Sequence, residues 1–266
     1  MPARFEALLL DIDGVLHVGD DATPGGVEAM RTLTESGIPL RLVTNTTSRP
    51  RAAVADRLNR LGYDVEETEI LTPARMAVQL CHDRGYRRVA VITANALKAD
   101  LADLEAVVSP GSTVDAVIVG DLGPGFSYGI LNGAFRSILR GADLIALQKN
   151  RYWRRPEGLV MDAGPFIAAL EYATGVEATV VGKPSGEFFA AALNDLGIGA
   201  TGVAMVGDDL EADVGGAIDA GLAGILVKTG KYRAHEVEES AIEPTMVIDS
   251  LADVPALVGH AGSAYT

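Results

Sequence analysis

Two aspartates, Asp11 and Asp13, separated by one isoleucine and followed at once by Gly14, are the residues of this sequence best placed to do chemistry. Residues two apart on an extended chain point to the same side, so both carboxylates face one site. Gly14 lets the chain turn sharply behind them. Carboxylates this close repel one another unless a cation or a shared proton relieves them. A hard, oxygen-seeking cation such as Mg2+ fits, because it keeps positions open for water and for a phosphate oxygen. The competing reading is a pair of turn aspartates that cap the next element.

Three further segments have a similar character. Thr44-Asn45-Thr46-Thr47-Ser48 offers hydroxyls, an amide and backbone N–H groups that suit phosphate oxygens. The same residues also serve as N-caps for a helix beginning near Pro50, and the two roles coexist at a helix N-terminus. Gly182-Lys183-Pro184-Ser185 places a lysine directly after an apolar run, where it can neutralise a phosphate and an aspartate together. Taken alone, it reads far more readily as a surface lysine. Gly207-Asp208-Asp209 ends another apolar run, and Asp213 follows. Asp208 and Asp209 can approach the same cation from the opposite side, and Asp213 can brace Lys183 or the metal waters. Helix-start aspartates favoured by the macrodipole account for Asp213 better than for the Gly-Asp-Asp cluster.

Each of these segments follows a short apolar run, and the runs alternate with amphipathic stretches. Phe5–Leu10 and Pro39–Val43 read as strands. Pro24–Ser36, with Thr23 as N-cap, and Arg51–Leu61 read as helices. Near the C-terminus, Thr179–Val181, Val203–Val206, Gly224–Val227 and Met246–Ile248 read as strands. Glu187–Leu196, Glu211–Ala220 and Leu251–Val258 read as helices. This rhythm predicts an α/β fold whose parallel sheet is covered on both faces. In the middle, Arg88–Ile92, Ala116–Val119 and Leu144–Ala146 read as strands, and Tyr128–Arg140 and Pro165–Thr174 as helices. The organisation predicted is a core built from residues 1–79 and 178–266, with a smaller α/β domain inserted at 80–177.

The bulk numbers set limits on function. A net charge of −14 over 266 residues disfavours nucleic acid and anionic membrane partners, and means that any phosphate pocket is built locally. Cys81 is the single cysteine, which excludes an intrachain disulfide and a cysteine-rich zinc site. The N-terminal residues lack the pattern of a signal peptide, and no apolar stretch reaches the roughly 20 residues of a membrane span. The expectation is a soluble cytoplasmic protein.

The order of the four segments across the chain resembles the haloacid dehalogenase-like hydrolase superfamily, whose four motifs converge on one phosphate. Leu42–Thr47, Ala169–Pro184 and Gly224–Arg233 are similar to the branch that includes phospholysine phosphohistidine inorganic pyrophosphate phosphatase. That type IIA branch carries its cap domain between the second and third motifs, as the long interval from Thr44 to Lys183 allows. The resemblance implies a Rossmann-like core and a Mg2+-dependent phosphatase acting on small phosphorylated substrates. It makes Asp11 the nucleophile that forms an aspartyl-phosphate, and Asp13 the proton donor and later the base. It makes Thr44, Asn45 and Lys183 the phosphate-holding residues. It assigns Mg2+ to Asp11, the Asp13 backbone carbonyl and Asp208, with Asp209 and Asp213 in support. It also implies a homodimer formed through the cap. Eukaryotic members of the branch carry serine at the position of Asp13. The aspartate here strengthens the phosphatase reading, loosens any inference about substrate, and argues against dehalogenation. The alternatives are a non-catalytic relative that binds a phosphometabolite or a protein, and a phosphomutase. The phosphomutase is disfavoured because its cap usually follows the first motif.

Other signals are weaker. Gly230-Lys231 resembles a Walker A loop, but its spacing from Gly224 is one residue too long, and Tyr232 stands where Ser or Thr is required. A loop beside the active-site mouth fits it better. Arg151-Tyr152-Trp153-Arg154-Arg155 suits either substrate selection or an exposed hairpin, and Asn150 and Asp162 are further cap candidates. His17, His82, His235 and His260 show no metal-ligand spacing.

Overall fold

A computed structural model describes residues 5–106, 113–155 and 158–258, with the backbone alone described at 153–155. The chain divides into two compact units. The first comprises residues 1–44, 51–71 and 183–266, and the second comprises 45–50 and 72–182.

The first unit is built on a six-stranded sheet ordered Met246–Ile248, Ala223–Val227, Val203–Gly207, Ala7–Asp11, Leu40–Val43, Ile70–Leu71. All of its pairings are parallel. Its central strands read as continuous apolar runs because both faces are covered. Every residue of Ala7–Asp11 and of Val203–Gly207 is buried. Leu8, Leu10, Leu42, Val206 and Ile225 pack with Met30, Leu33 and Leu58 into one core cluster. Each such leucine contributes about 1.5–3 kcal/mol through its burial.

Starting from Ala7–Asp11, successive strands run out to one edge, and the chain then returns to the other side with Val203–Gly207. The order therefore reverses between these two strands, which pair directly, Leu10 with Val206. Ligands of open α/β sheets bind outside the carboxyl ends of the strands at such a reversal. Asp11 and Asp208 stand there.

The second unit has its own parallel sheet, ordered Thr179–Val180, Asp143–Ala146, Ala116–Val119, Arg88–Ile92, Glu105–Ala106. Helices Tyr128–Leu139 and Gly164–Thr174 supply Ala134, Ile138, Ile167 and Leu170 to its apolar core.

The elements depart from the sequence reading in several places. Thr179–Val180 pairs with Asp143–Ala146 in the second sheet and does not extend the first. The helix Pro73–Asp83, which periodicity did not reveal, spans the expected joint at residue 80 and belongs to the second unit. Thr23 does not cap the following helix, which begins at Gly26 behind Gly25. Its hydroxyl instead donates to the carbonyl oxygens of Val15 and Leu16, at 2.8 and 3.2 Å. The expected helix at 211–220 opens as a wide turn over Leu210–Gly215, and only Gly216–Asp219 is α-helical. Leu251–Leu257 is a 3-10 helix, with Pro255 inside it. No helix among the described residues is long and apolar enough to cross a membrane.

Candidate active site

Asp11 is the last residue of its strand and is buried. Lys183 follows the joint from the second unit and is only 4% exposed. Its ammonium lies 2.5 Å from Asp11 Oδ1 and 2.7 Å from Asp213 Oδ1. Burial alone would lower the lysine pKa, but the two carboxylates hold it above its ordinary value. Burial pushes Asp11 well above the usual carboxylate range; Lys183 pulls the other way, and Asp213 and Asp208 push it further up. One buried ammonium thus faces a cluster of buried carboxylates.

Asp208 is 3% exposed. Its Oδ2 accepts the Lys231 N–H at 2.7 Å, while Oδ1 is buried without a hydrogen-bond partner. An orphaned buried carboxylate oxygen costs free energy until something positive reaches it. Burial accordingly raises Asp208 to about 6, against the pull of the Lys231 N–H and ammonium. Oxygens of Asp11, Asp208 and Asp213 lie within 4.8 Å of one another, close enough for one ion. Asp213 Oδ1 lies 2.7 Å from the Lys183 ammonium, and Oδ2 accepts the Asp209 N–H at 3.2 Å. The donor set left for a cation is all oxygen and anionic, which suits Mg2+.

The remaining expected residues fall as follows. The Asp13 side chain is 64% exposed, and its Oδ1 lies 3.5 Å from Nε2 of the buried His17, a neighbour the sequence did not reveal. Thr44 is buried just beyond the Leu40–Val43 strand, and its N–H donates to the Leu71 carbonyl. Asn45 belongs to the second unit, where its side-chain oxygen packs beside Gly182. Asp209 accepts from the Glu211 and Ala212 N–H groups at 3.2 and 2.9 Å and starts the next turn. It also pairs with the Lys231 ammonium at 2.9 Å, and although burial opposes the shift, this partner holds Asp209 below its ordinary value.

The segment Thr229–Lys231, expected from the sequence only as a loop beside the active-site mouth, touches the acidic cluster directly. The Thr229 hydroxyl donates to the Gly14 carbonyl at 2.5 Å, and Lys231 holds Asp208 and Asp209 as described. Gly14 (φ 91°) and Gly230 (φ 62°) both lie against Asp208, and a Cβ on either would overlap Asp208 Oδ2. The available clue was the strand Ala223–Val227, which lies beside Val203–Gly207 and ends on the same side of the sheet.

In the second unit, Gln148 Nε2 donates to Asp162 Oδ1 at 2.6 Å, and the Ala163 N–H donates to the same oxygen at 2.7 Å. The Asn150 N–H in turn donates to Gln148 Oε1 at 2.5 Å. This network at the start of the Gly164–Thr174 helix gives Asp162 a structural role, and burial raises its pKa. Tyr152–Arg155 pairs with Gly158–Met161 as an antiparallel hairpin, and Arg151 before it is exposed. The Trp153 side chain lies outside the described residues, as does His260.

Comparison with known proteins agrees with this arrangement. Residues 8–106 match the family model for haloacid dehalogenase-like hydrolase, and residues 180–254 match a second model of the same kind. The chain is 42% identical to human haloacid dehalogenase-like hydrolase domain-containing protein 2, over 96% of this chain and 95% of that protein. It is 37% identical to human phospholysine phosphohistidine inorganic pyrophosphate phosphatase, over 97% and 96% of the two chains. Among solved structures, p-nitrophenyl phosphatase from Archaeoglobus fulgidus matches with a TM-score of 0.87 and 29% identity, over 96% of this chain and all of that one. NagD from E. coli K-12 matches with a TM-score of 0.85 and 27% identity, over 94% and 98% of the two chains. Identity at this level along nearly the full length, together with paired strand ends that carry Asp11 and Asp208, establishes that the chain belongs to the haloacid dehalogenase-like hydrolase family.

Proposed function

We propose that this protein is a Mg2+-dependent phosphatase of small phosphorylated substrates that works through an aspartyl-phosphate on Asp11. The observation that carries the reading is the pairing of a buried lysine with buried carboxylates beside an orphaned Asp208 oxygen. Such a site has an unmet demand for positive charge. Relatives named as a pyrophosphate phosphatase and as p-nitrophenyl phosphatases support it.

Asp11 and Asp208, with the Asp13 backbone carbonyl, would hold the ion. When bound, Mg2+ supplies positive charge against the phosphoryl oxygens. Lys183, held by Asp11 and Asp213, binds the phosphoryl group, with Thr44 and Asn45 as further donors. The Asp11 carboxylate attacks phosphorus, the bond to the leaving oxygen breaks, and Asp13 gives that oxygen a proton. Asp13, now a carboxylate, then takes a proton from water. The water oxygen attacks the phosphorus of the aspartyl-phosphate and frees phosphate, and Asp11 is regenerated. Positioning and charge neutralisation are sufficient for phosphoryl transfer. The exposure of the Asp13 side chain suits a group that must meet both leaving group and water.

Hydrolysis of p-nitrophenyl phosphate with and without Mg2+ tests the reading, together with Asp11→Asn. The expected result is turnover that requires Mg2+ and disappears in the variant while its circular dichroism is unchanged. Undiminished turnover by folded Asp11→Asn would refute the nucleophile assignment.

A further inference from the structure

We infer that His17 is a positioning residue for the reaction, holding the exposed Asp13 carboxyl in the orientation from which it gives its proton to the leaving oxygen. This rests on the phosphatase reading given above. A proton donor must stand within hydrogen-bond reach of the oxygen it serves. An unpacked aspartate does not keep such a place, because its terminal torsion is broad. The Asp13 side chain is 64% exposed, so packing alone does not orient it. Among the described residues, His17 is the side chain that pairs with it, Nε2 standing 3.5 Å from Oδ1.

The ring is a fixed reference for that contact. It is buried, although the carboxylate it faces is in the open. The turn that joins the two residues closes on itself. The Leu16 N–H donates to the Ile12 carbonyl at 3.0 Å, and the Gly14 N–H donates to the His17 carbonyl at 2.8 Å. A backbone bridge sets Asp13 and His17 side by side, and His17 then pairs with Ala22 in a short hairpin. Two buried hydroxyls clamp the turn from outside. Tyr63 donates to the Leu16 carbonyl at 2.5 Å, and Thr23 donates to the Val15 and Leu16 carbonyls. Gly26 leaves room for both, since a Cβ there would overlap the Thr23 and Tyr63 oxygens. The residue next to the clamped Leu16 is His17, so the rigidity of the turn passes to the ring and from the ring to Asp13. A misplacement of about 1 Å at a reacting group costs about 100-fold, so even this modest contact matters to the rate.

The test uses the leaving group as the probe. p-Nitrophenolate departs as a stabilised anion, whereas phenolate is more basic and depends more on a donated proton. His17→Phe keeps a buried ring and deletes the nitrogen that meets Asp13. Release of the phenol is followed in a single turnover, with enzyme in excess, for p-nitrophenyl phosphate and for phenyl phosphate. General acid catalysis as a whole contributes about 100- to 10,000-fold. Loss of orientation alone is expected to make the fall about tenfold deeper for phenyl phosphate than for p-nitrophenyl phosphate. Equal falls for the two esters, or no fall for either, overturn the proposal, because damage to the fold does not sort substrates by leaving group. In an Asp13→Asn background, His17→Phe is expected to add no further loss, and an undiminished effect there also overturns it. Where His17→Phe does not fold, the smaller His17→Leu carries the same comparisons. A native protein that hydrolyses neither ester would refute the phosphatase reading itself, so the two failures are distinguishable.

Discussion

Replacing Asp208 with asparagine should make the metal-free protein more stable at alkaline pH while abolishing its Mg2+ response. Burial lifts the folded-state pKa of Asp208 from near 3.8 to about 6. A raised carboxylate pKa means that the folded state binds the proton more tightly than the unfolded chain does. The associated stability is complete below about pH 4 and is lost as the pH rises through 6. The difference of about two pH units corresponds to about 3 kcal/mol, at about 1.4 kcal/mol per unit. Asparagine removes that term. Its amide oxygen keeps the Lys231 N–H, and its NH2 group takes the place of the orphaned Oδ1. Thermal unfolding in chelator should therefore show the variant about 6–12 °C more stable than the native protein at pH 8, at roughly 2–4 °C per kcal/mol for a chain of this size. The two should converge near pH 4.5. Adding Mg2+ at pH 8 should raise the native midpoint and leave the variant unmoved. Equal midpoints in chelator at pH 8 would show that the orphaned oxygen carries no such strain.

Two other changes probe the same cluster. Lys183→Met leaves Asp11 and Asp213 buried without their cation, and urea unfolding at pH 8 should show a loss of about 3–5 kcal/mol that shrinks by pH 5. A loss below 1 kcal/mol would mean that the carboxylates find other compensation. Gly14→Ala drives a Cβ into Asp208 Oδ2 on a backbone at φ 91°. Displacing a reacting group by about 1 Å costs about 100-fold, so hydrolysis of p-nitrophenyl phosphate should fall by about that factor with the far-UV spectrum unchanged. Activity within threefold of native would show that Asp208 has room to move.

Much of the molecule was legible because local chemistry and global topology coincide. A parallel sheet covered on both faces leaves its strands as short apolar runs, and the residue just past each run falls at the ligand-binding edge. This is why Asp11 and Asp208, far apart in sequence, could be named together; Lys183, which follows a strand of the second sheet, and Asp213, inside a later turn, join them through the ion pairs of Lys183. The failures have physical causes. Thr23 has the composition of an N-cap, but its hydroxyl is used on the Val15 and Leu16 carbonyls, a contact that spacing does not encode. Thr179–Val180 has the pattern of any buried strand, and the sheet it joins is decided by pairing partners that its own residues do not reveal. The Thr229–Lys231 turn acts largely through a backbone N–H, which every residue except proline possesses, so no side-chain motif announces it. Asp13 and His17 are neighbours through a tight turn, and a lone histidine four residues on carries no signal of its own.

The direct pairing of Ala7–Asp11 with Val203–Gly207 has a consequence for biosynthesis. From Asp11 to Val203 there are 192 positions (203 − 11), and a ribosome adding about 5–20 residues per second needs about 10–40 s to cover them. For that interval the Ala7–Asp11 strand has one flank unfilled, and the continuous stretch 72–182 is complete 21 positions (203 − 182) before Val203 is added. A nascent chain therefore completes the second unit before the first, and Asp11, Asp208 and Asp213 come together last. Products terminated between residues 182 and 203 should accumulate as a folded second unit beside an open, adhesive sheet edge.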